Sequence, residues 1–358
     1  MSEWVRSLEE RAGDVLPEPV YRYFRQGARD GVTAGEAAAA WDRFRLLPHV
    51  LRDVTDVDTS SSVLGTPLRT PLAVAPTTLQ RAAHPDGEVA MARAVAEAGS
   101  LLVVSSNAGS TFEAIGGTGA PWWLQAYLTP DRDACRPIVE LAVAAGARAV
   151  VLTVDTPVVG TKYDGAGQTV WDAIDPAWLR VNFSDSHAAT AGGDKATDLC
   201  LADIEWLGRI TGLPVVVKGV LRRDDARRCV EAGAAAVWVS NHGGRQLDYA
   251  AATATCLFAV AEEVGPDAEV YADGGVRTAR HALTAVALGA RAAFLGRLPL
   301  YALAVEGAAG VANLFAELED ELVEMMRLAG VRELHPRGSD ALDILVQNGG
   351  TAERRQGR

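Results

Sequence analysis

The stretch Val237–Asp248, VWVSNHGGRQLD, puts a titratable imidazole, His242, two glycines and a guanidinium, Arg245, into one short turn. A base beside a fixed cation suits removal of a proton from an anionic substrate. The two glycines would let a backbone approach a ligand closely. The preceding Ala235–Val239 is apolar and β-branched, the kind of run buried on both faces of a parallel sheet.

Other apolar runs end in chemistry of their own. Their last residues are Pro76-Thr77, Ser105-Ser106, Gln125 and Tyr127, Thr153 and Asp155, Lys218, Asp273 through Arg277, and Gly296-Arg297. Loop polarity accounts for Ser and Asp at such places but not for a lysine directly after Val215–Val217. Only three of the 34 basic residues are lysines, which makes Lys218 more pointed. AspGlyGlyValArg (Asp273–Arg277) and LeuGlyArg (Leu295–Arg297) offer backbone N–H groups, a helix start and two guanidiniums, the materials of a phosphate site. A dinucleotide fingerprint is poorly supported, since Gly116–Gly119 (GGTG) precedes a strand and lacks an acidic partner. No HExxH or clustered His/Cys/carboxylate set suggests a metal.

These strand ends must be presented on one rim. Runs over Pro71–Ala75, Leu101–Ser105, Trp122–Tyr127, Ala147–Asp155, Pro214–Lys218, Ala235–Asn241, Glu269–Asp273 and Ala292–Gly296 read as strands. Helical spacing falls between them over Gly87–Ala98, Asp131–Ala145, Asp224–Gly233, Ala252–Val264 and Thr278–Gly289. This alternation predicts a single (β/α)8 TIM barrel of the α/β class, active at the C-terminal ends of its strands. The expected organisation is a helical entry over 1–65, with helices at Glu18–Gly27 and Glu36–Phe44, then the barrel over 66–330. A mobile lid loop, 157–202, follows the fourth strand on the catalytic face. Gly310–Ala329 reads as a helix closing the outside, and the tail over 331–358 as frayed from Thr351.

Of the 358 residues 49% are hydrophobic, enough for a large core, and the formal net charge is −12. That charge argues against nucleic acid or an anionic membrane as the main partner. No apolar run is long enough for a span, and the charged start MSEWVRSLEERAGDV lacks a signal-peptide core. Cys135, Cys200, Cys229 and Cys256 form no metal pair or disulfide framework and read as reduced thiols of a cytoplasmic protein.

SNHGGRQLD (Ser240–Asp248) resembles the signature of the FMN-dependent α-hydroxy-acid oxidase/dehydrogenase family, which includes glycolate oxidase, lactate oxidase and mandelate dehydrogenase. The resemblance extends in order through VYRYF (Val20–Phe24), APTTLQ (Ala75–Gln80), HPDGE (His84–Glu88), QAY (Gln125–Tyr127), LTVDTP (Leu152–Pro157), VKGV (Val217–Val220), DGGVR and LGR. It implies FMN as cofactor and oxidation of an L-2-hydroxy acid to the 2-oxo acid, with O2 or another electron acceptor, in a homotetramer. It further implies His242 as the base, Asp155 as its partner, Arg245 as the grip on the substrate carboxylate, and phenolic hydrogen bonds from Tyr23 and Tyr127. Tyr21 lies on the same helical stretch, and the motif favours Tyr23. Lys218 matches the lysine near flavin N1 and the C2 carbonyl. Ala75, Thr77, Ser105, Gln125 and Thr153 would meet the ring system, Asp273, Gly275, Arg277, Gly296 and Arg297 would hold ribityl and phosphate, and Pro76 and Ser240 would also bind the cofactor. His84 reads as a helix cap or packing residue.

Three departures bear on the substrate. Where the family places an arginine pair after LTVDTP, this chain has Val158–Lys162, so Lys162 would supply charge as a point donor rather than a fork. Thr78 is bulkier than the small residue expected over the flavin, which would favour a dehydrogenase over an oxidase. Asn107 stands where glycolate oxidases carry an aromatic, opening and polarising the pocket for a larger or hydroxylated substrate. Two other readings stay open: flavin-dependent oxidation of a larger amine, peptide or natural-product intermediate, and a non-flavin phosphate-binding lyase using Lys218 as a Schiff-base amine.

Overall fold

The structure, a computed structural model, describes residues 2–163, 167–183, 195–334, 343–348 and 351–355, the last two segments as backbone only. All eight anticipated runs are strands: β1 (Leu72–Val74), β2 (Leu102–Ser105), β3 (Trp122–Ala126), β4 (Val150–Thr153), β5 (Val215–Val220), β6 (Ala236–Val239), β7 (Glu269–Ala272) and β8 (Ala292–Leu295). They close a parallel barrel in chain order, β8 pairing back onto β1. The protein is a (β/α)8 barrel.

Alternation along each strand sorts its residues into layers. Ala73, Val103, Trp123, Val151, Val216, Trp238, Tyr271 and Phe294 form one buried cluster inside the barrel. Their neighbours, such as Val104, Leu124, Leu152, Val217, Val237 and Leu295, turn outward against the helices. The interior is aromatic: the Trp238 and Phe294 rings lie 3.9 Å apart, and Tyr271 stands edge-on to Trp238. Two residues further along, the same inward positions are Ala75, Ser105, Gln125, Thr153, Lys218, Ser240, Asp273 and Gly296. The apolar floor therefore carries a polar layer directly above it.

A hairpin, Ser61–Val63 with Thr66–Leu68, plugs the opposite mouth with Val63 and Leu68, and was not anticipated. Glu269 receives the Leu64 N–H and the Tyr271 hydroxyl there. The five anticipated helices all form, ending within a few residues of the expected bounds. The entry region holds an unanticipated first helix, Glu3–Val15, which buries Val5, Leu8 and Ala12. Glu18–Arg25 follows, and the helix expected over Glu36–Phe44 instead runs Val32–Trp41, after which Phe44–Leu47 turns into a strand. Backbone pairing of that strand with Asp343–Asn348, and of the latter with Thr351–Arg355, replaces the frayed tail expected from Thr351.

The outer C-terminal helix is longer than expected, Arg297–Ala329, and breaks at Glu306–Gly307, where Gly307 has φ +61°. Of the anticipated lid, residues 164–166 and 184–194 lie outside the described residues. The remainder carries a short helix, Val170–Ala173, whose start is closed by reciprocal Thr169–Asp172 bonds. Asp203 binds Arg132 through Nε at 2.9 Å, pinning the far end of the insertion to the loop after β3.

Candidate active site

At the C-terminal mouth lies a cavity of about 850 Å³. Its floor is the polar layer. Lys218 donates to Ser240 Oγ at 2.8 Å and sits 3.1 Å from Asp273 Oδ2, residues that directly follow β6 and β7. A lysine nitrogen so engaged, by a carboxylate and a hydroxyl, is not the unpaired amine that a Schiff-base lyase needs. Gln125 Nε2, Thr153 Oγ1 and Asp273 Oδ1 are buried without a protein partner, and all three residues line the cavity. A planar ligand with donors and acceptors along one edge would satisfy them.

At one side two guanidiniums are sunk in the wall. Arg297 donates only to backbone carbonyls, those of Phe24 (3.0 Å), Gly243 (3.1 Å) and Gln26 (3.4 Å). Arg277 donates to its neighbour Val276 O, at 3.1 Å. Among the described residues neither has a carboxylate within ion-pair distance. Burial, then Arg277 and Arg245, push Arg297 down to about 10, and burial likewise lowers Arg277. Buried cations without a counter-ion call for an anion. The N-terminus of Arg297–Ala329 opens on the same spot. The residues present thus fit a flavin bearing a phosphate: a polar edge over the barrel floor, and cations with a helix start beside it.

At the other side stands His242. Its Nδ1 lies 2.8 Å from Asp155 Oδ1 and 3.3 Å from Thr156 Oγ1, and its Nε2 lies 3.5 Å from Tyr127 Oη. Burial raises the Asp155 carboxyl, but the charge and hydrogen bond of His242, with Lys218, outweigh it and hold the group below its usual range. Asp155 is therefore ionised and can only accept, so Nδ1 carries the proton and Nε2 keeps its lone pair toward the cavity. His242 itself is lowered, by burial against the opposing pull of Asp155, so the imidazole is neutral near neutral pH. Its backbone is in the left-handed region, φ +58°, held there by its N–H on Ser240 Oγ at 3.1 Å. Burial, with Asp155 next, raises Tyr127, which stays a protonated donor.

Arg245 lines the cavity and spends Nη1 on Tyr23 O (2.6 Å) and Gln26 O (2.9 Å), leaving its other nitrogens for a ligand. Tyr23 lines the cavity beneath that guanidinium, whereas Tyr21 packs on Tyr301.

The same architecture describes the FMN-dependent dehydrogenases, whose family pattern matches residues 12–343. The chain belongs to that family. It is 39% identical to human 2-hydroxyacid oxidase 1 over 345 residues, 92% of this chain and 93% of the relative. It is also 39% identical to glycolate oxidase 3 of Arabidopsis thaliana over 341 residues, with the same shares covered. Among solved structures, mandelate oxidase with benzoyl-formic acid superposes with a TM-score of 0.86 at 34% identity, covering 97% of this chain and 99% of that one. An active chimera of (S)-mandelate dehydrogenase gives 0.87 at 29% identity, covering 94% and 98%. This FMN-dependent dehydrogenase is an oxidoreductase, and FMN is its cofactor.

Several expectations change in detail. Gly244 serves no ligand: a Cβ there would lie 2.4 Å from Ala34 N, so what approaches is the chain's own helix Val32–Trp41. Gly275 does line the cavity, and at its φ of +84° an added Cβ would lie 2.3 Å from the Ala37 carbonyl, which leaves no space for a side chain. Lys162, expected to grip substrate, donates to Gly160 O (2.6 Å) and to Arg245 O, tying the start of the lid to the His242 turn. Thr78 donates to Asn107 O at 3.0 Å, and Asn107 lines the cavity. His84 accepts the Asp86 N–H at 3.2 Å, just before the helix Gly87–Glu97. Pro76 lines the cavity, while Ser240, expected to meet the cofactor, is fully buried and serves as a partner to Lys218.

Three residues of the site were missed. Thr156 buttresses Asp155 and His242. Gly219 makes room for Asp155. Lys195 lies on the Tyr127 ring, its ammonium 3.7 Å from the centroid. Its signal was available: it is one of only three lysines, and all three line this cavity.

Proposed function

We propose that this FMN-dependent dehydrogenase oxidises an L-2-hydroxy acid to the corresponding 2-oxo acid. The observation that carries the reading is the 2.8 Å Asp155–His242 contact, which leaves Nε2 as an open base in the cavity that Arg245 also faces. Bound FMN would supply a two-electron acceptor, held by Lys218 and the polar floor at its ring and by Arg277 and Arg297 at its phosphate. Arg245 would take the substrate carboxylate through the nitrogens not committed to Tyr23 and Gln26. That anchorage places the 2-hydroxyl side of the acid toward His242, with Tyr127 and Tyr23 donating to its oxygens.

His242 Nε2 would take one of the two protons the substrate loses, the two electrons and the other proton going to bound FMN, and the imidazolium that forms would be stabilised by Asp155 in a site with little water. Support comes from the charges: the base is neutral before the reaction, and its partner is already ionised. The test is anaerobic mixing of the FMN-loaded enzyme with L- and D-2-hydroxy acids. Bleaching of the visible flavin band by L-acids is expected. A yellow protein that no 2-hydroxy acid bleaches would overturn the reading.

A further inference from the structure

Among the described residues, cations outnumber anions at the substrate end of the cavity. Asp155 is committed to His242, and Asp273 to Lys218. Arg245, Lys162 and Lys195 have no carboxylate within ion-pair distance among the described residues. A single substrate carboxylate on Arg245 leaves two ammonium groups. Lys162 is solvated by two backbone carbonyls. Lys195 has no hydrogen-bond acceptor among the described residues; only the face of Tyr127 receives it. Burial pushes its ammonium down to about 8, with Asp155 pulling the other way. The group is thus close to the reacting base, half-buried and, among the described residues, short of an anion.

Its placement also sets a direction. Tyr127 carries Lys195 on its face and His242 at its hydroxyl, so a substrate held at His242 by Arg245 can extend along Tyr127 toward the ammonium. Asn107, whose side-chain amide has no protein partner among the described residues, adds a polar lining to the same cavity. Apolar residues such as Leu128, Trp171 and Leu179 line the cavity too, so the charge of Lys195, and not the lining as a whole, carries the argument.

We propose that Lys195 is a specificity-determining residue that binds a second, distal carboxylate, so that the substrate is a 2-hydroxy dicarboxylic acid. This inference rests on the proposed oxidation of 2-hydroxy acids and names the substrate class within it. Every three-donor lysine head that loses water needs acceptors, and a carboxylate supplies them with a full opposite charge. The pairing would be stronger here than at an open surface because the cavity excludes part of the solvent.

The experiment compares (S)-malate and (S)-2-hydroxyglutarate with the monoanions (S)-lactate and (S)-2-hydroxybutyrate on FMN-loaded enzyme. At least one diacid should exceed the monoacids in kcat/KM, and Lys195→Met should cut the diacid-to-monoacid ratio at least tenfold, with Lys195→Arg restoring part of it. A second arm needs no turnover: calorimetric Kd values for the product-like 2-oxoglutarate and 2-oxobutyrate, at low and high salt. Lys195→Met should weaken only the dianion, and salt should reduce the difference. Equal losses for mono- and dianions, or none, would overturn the assignment. Should no acid reduce the flavin, the proposed oxidation falls while the binding arm still decides on Lys195.

Discussion

Gly219 and Asp155 share one small volume: a Cβ on Gly219 would lie 2.6 Å from Asp155 Cβ. Gly219 sits at φ +111°, in the irregularity where the pairing of β5 with β6 shifts register between Lys218 and Val220. One glycine therefore lets Lys218 point to the floor while the end of β4 brings Asp155 under His242. Gly219→Ala should keep the barrel, by circular dichroism, yet lower kcat at least about tenfold, on the scale of an ångström-sized misplacement of catalytic groups. A wild-type kcat would show that Asp155 does not depend on this space.

The pH profile follows from the charges. His242 acts only when neutral, and its pKa lies below its ordinary value, chiefly through burial. Activity as kcat/KM should therefore rise with pH through an acid limb below about 6.5 and be flat across neutrality. Asp155 raises the His242 pKa, so Asp155→Asn should move that limb to lower pH and depress the plateau by about 10²-fold or more, the scale of general-base contributions. A limb that moves to higher pH would contradict the pairing.

The buried guanidiniums make a separable claim about the cofactor. Arg297→Met or Arg277→Met should weaken FMN by about 10- to 100-fold, as loss of a charge-assisted hydrogen bond does, and leave riboflavin affinity unchanged. Equal weakening of both flavins, measured by fluorescence titration of apoenzyme, would place these arginines away from the phosphate.

Two tyrosines on one helix divide their work. Tyr23 lies under Arg245, with the guanidinium carbon 4.8 Å from the ring centroid, and Tyr21 packs 6.4 Å from the Tyr301 ring. Tyr23→Phe should raise KM for the hydroxy acid several-fold, and Tyr21→Phe should leave KM and kcat as they are. The reverse pattern would exchange their roles.

Much of the barrel was legible because each strand is a short buried run whose inward and outward residues are both apolar, ended by a polar residue pointing up the barrel. Lys218 after three valines is the clearest instance, since burial of an ammonium needs Asp273 and Ser240 to be there. The hairpin over Ser61–Leu68 was not legible: its strands are three residues each, and what fixes them is the barrel mouth they fill. Both glycines after His242 were read as ligand space; Gly243 does line the cavity, but Gly244 abuts Ala34, about two hundred residues earlier in the chain. Lys162 was read as a grip on the substrate for a similar reason. Charge type can be read from sequence, whereas which ammonium meets the Gly160 and Arg245 carbonyls depends on how the insertion folds back.

The central claim is that His242 is the base for oxidation at a bound flavin. The most direct measurement is the anaerobic rate of flavin bleaching by an active L-2-hydroxy acid in the wild type and in His242→Gln, each shown beforehand to hold FMN. Slowing by about 10²- to 10⁴-fold with FMN still bound is the expected result. Bleaching of His242→Gln at the wild-type rate would contradict it.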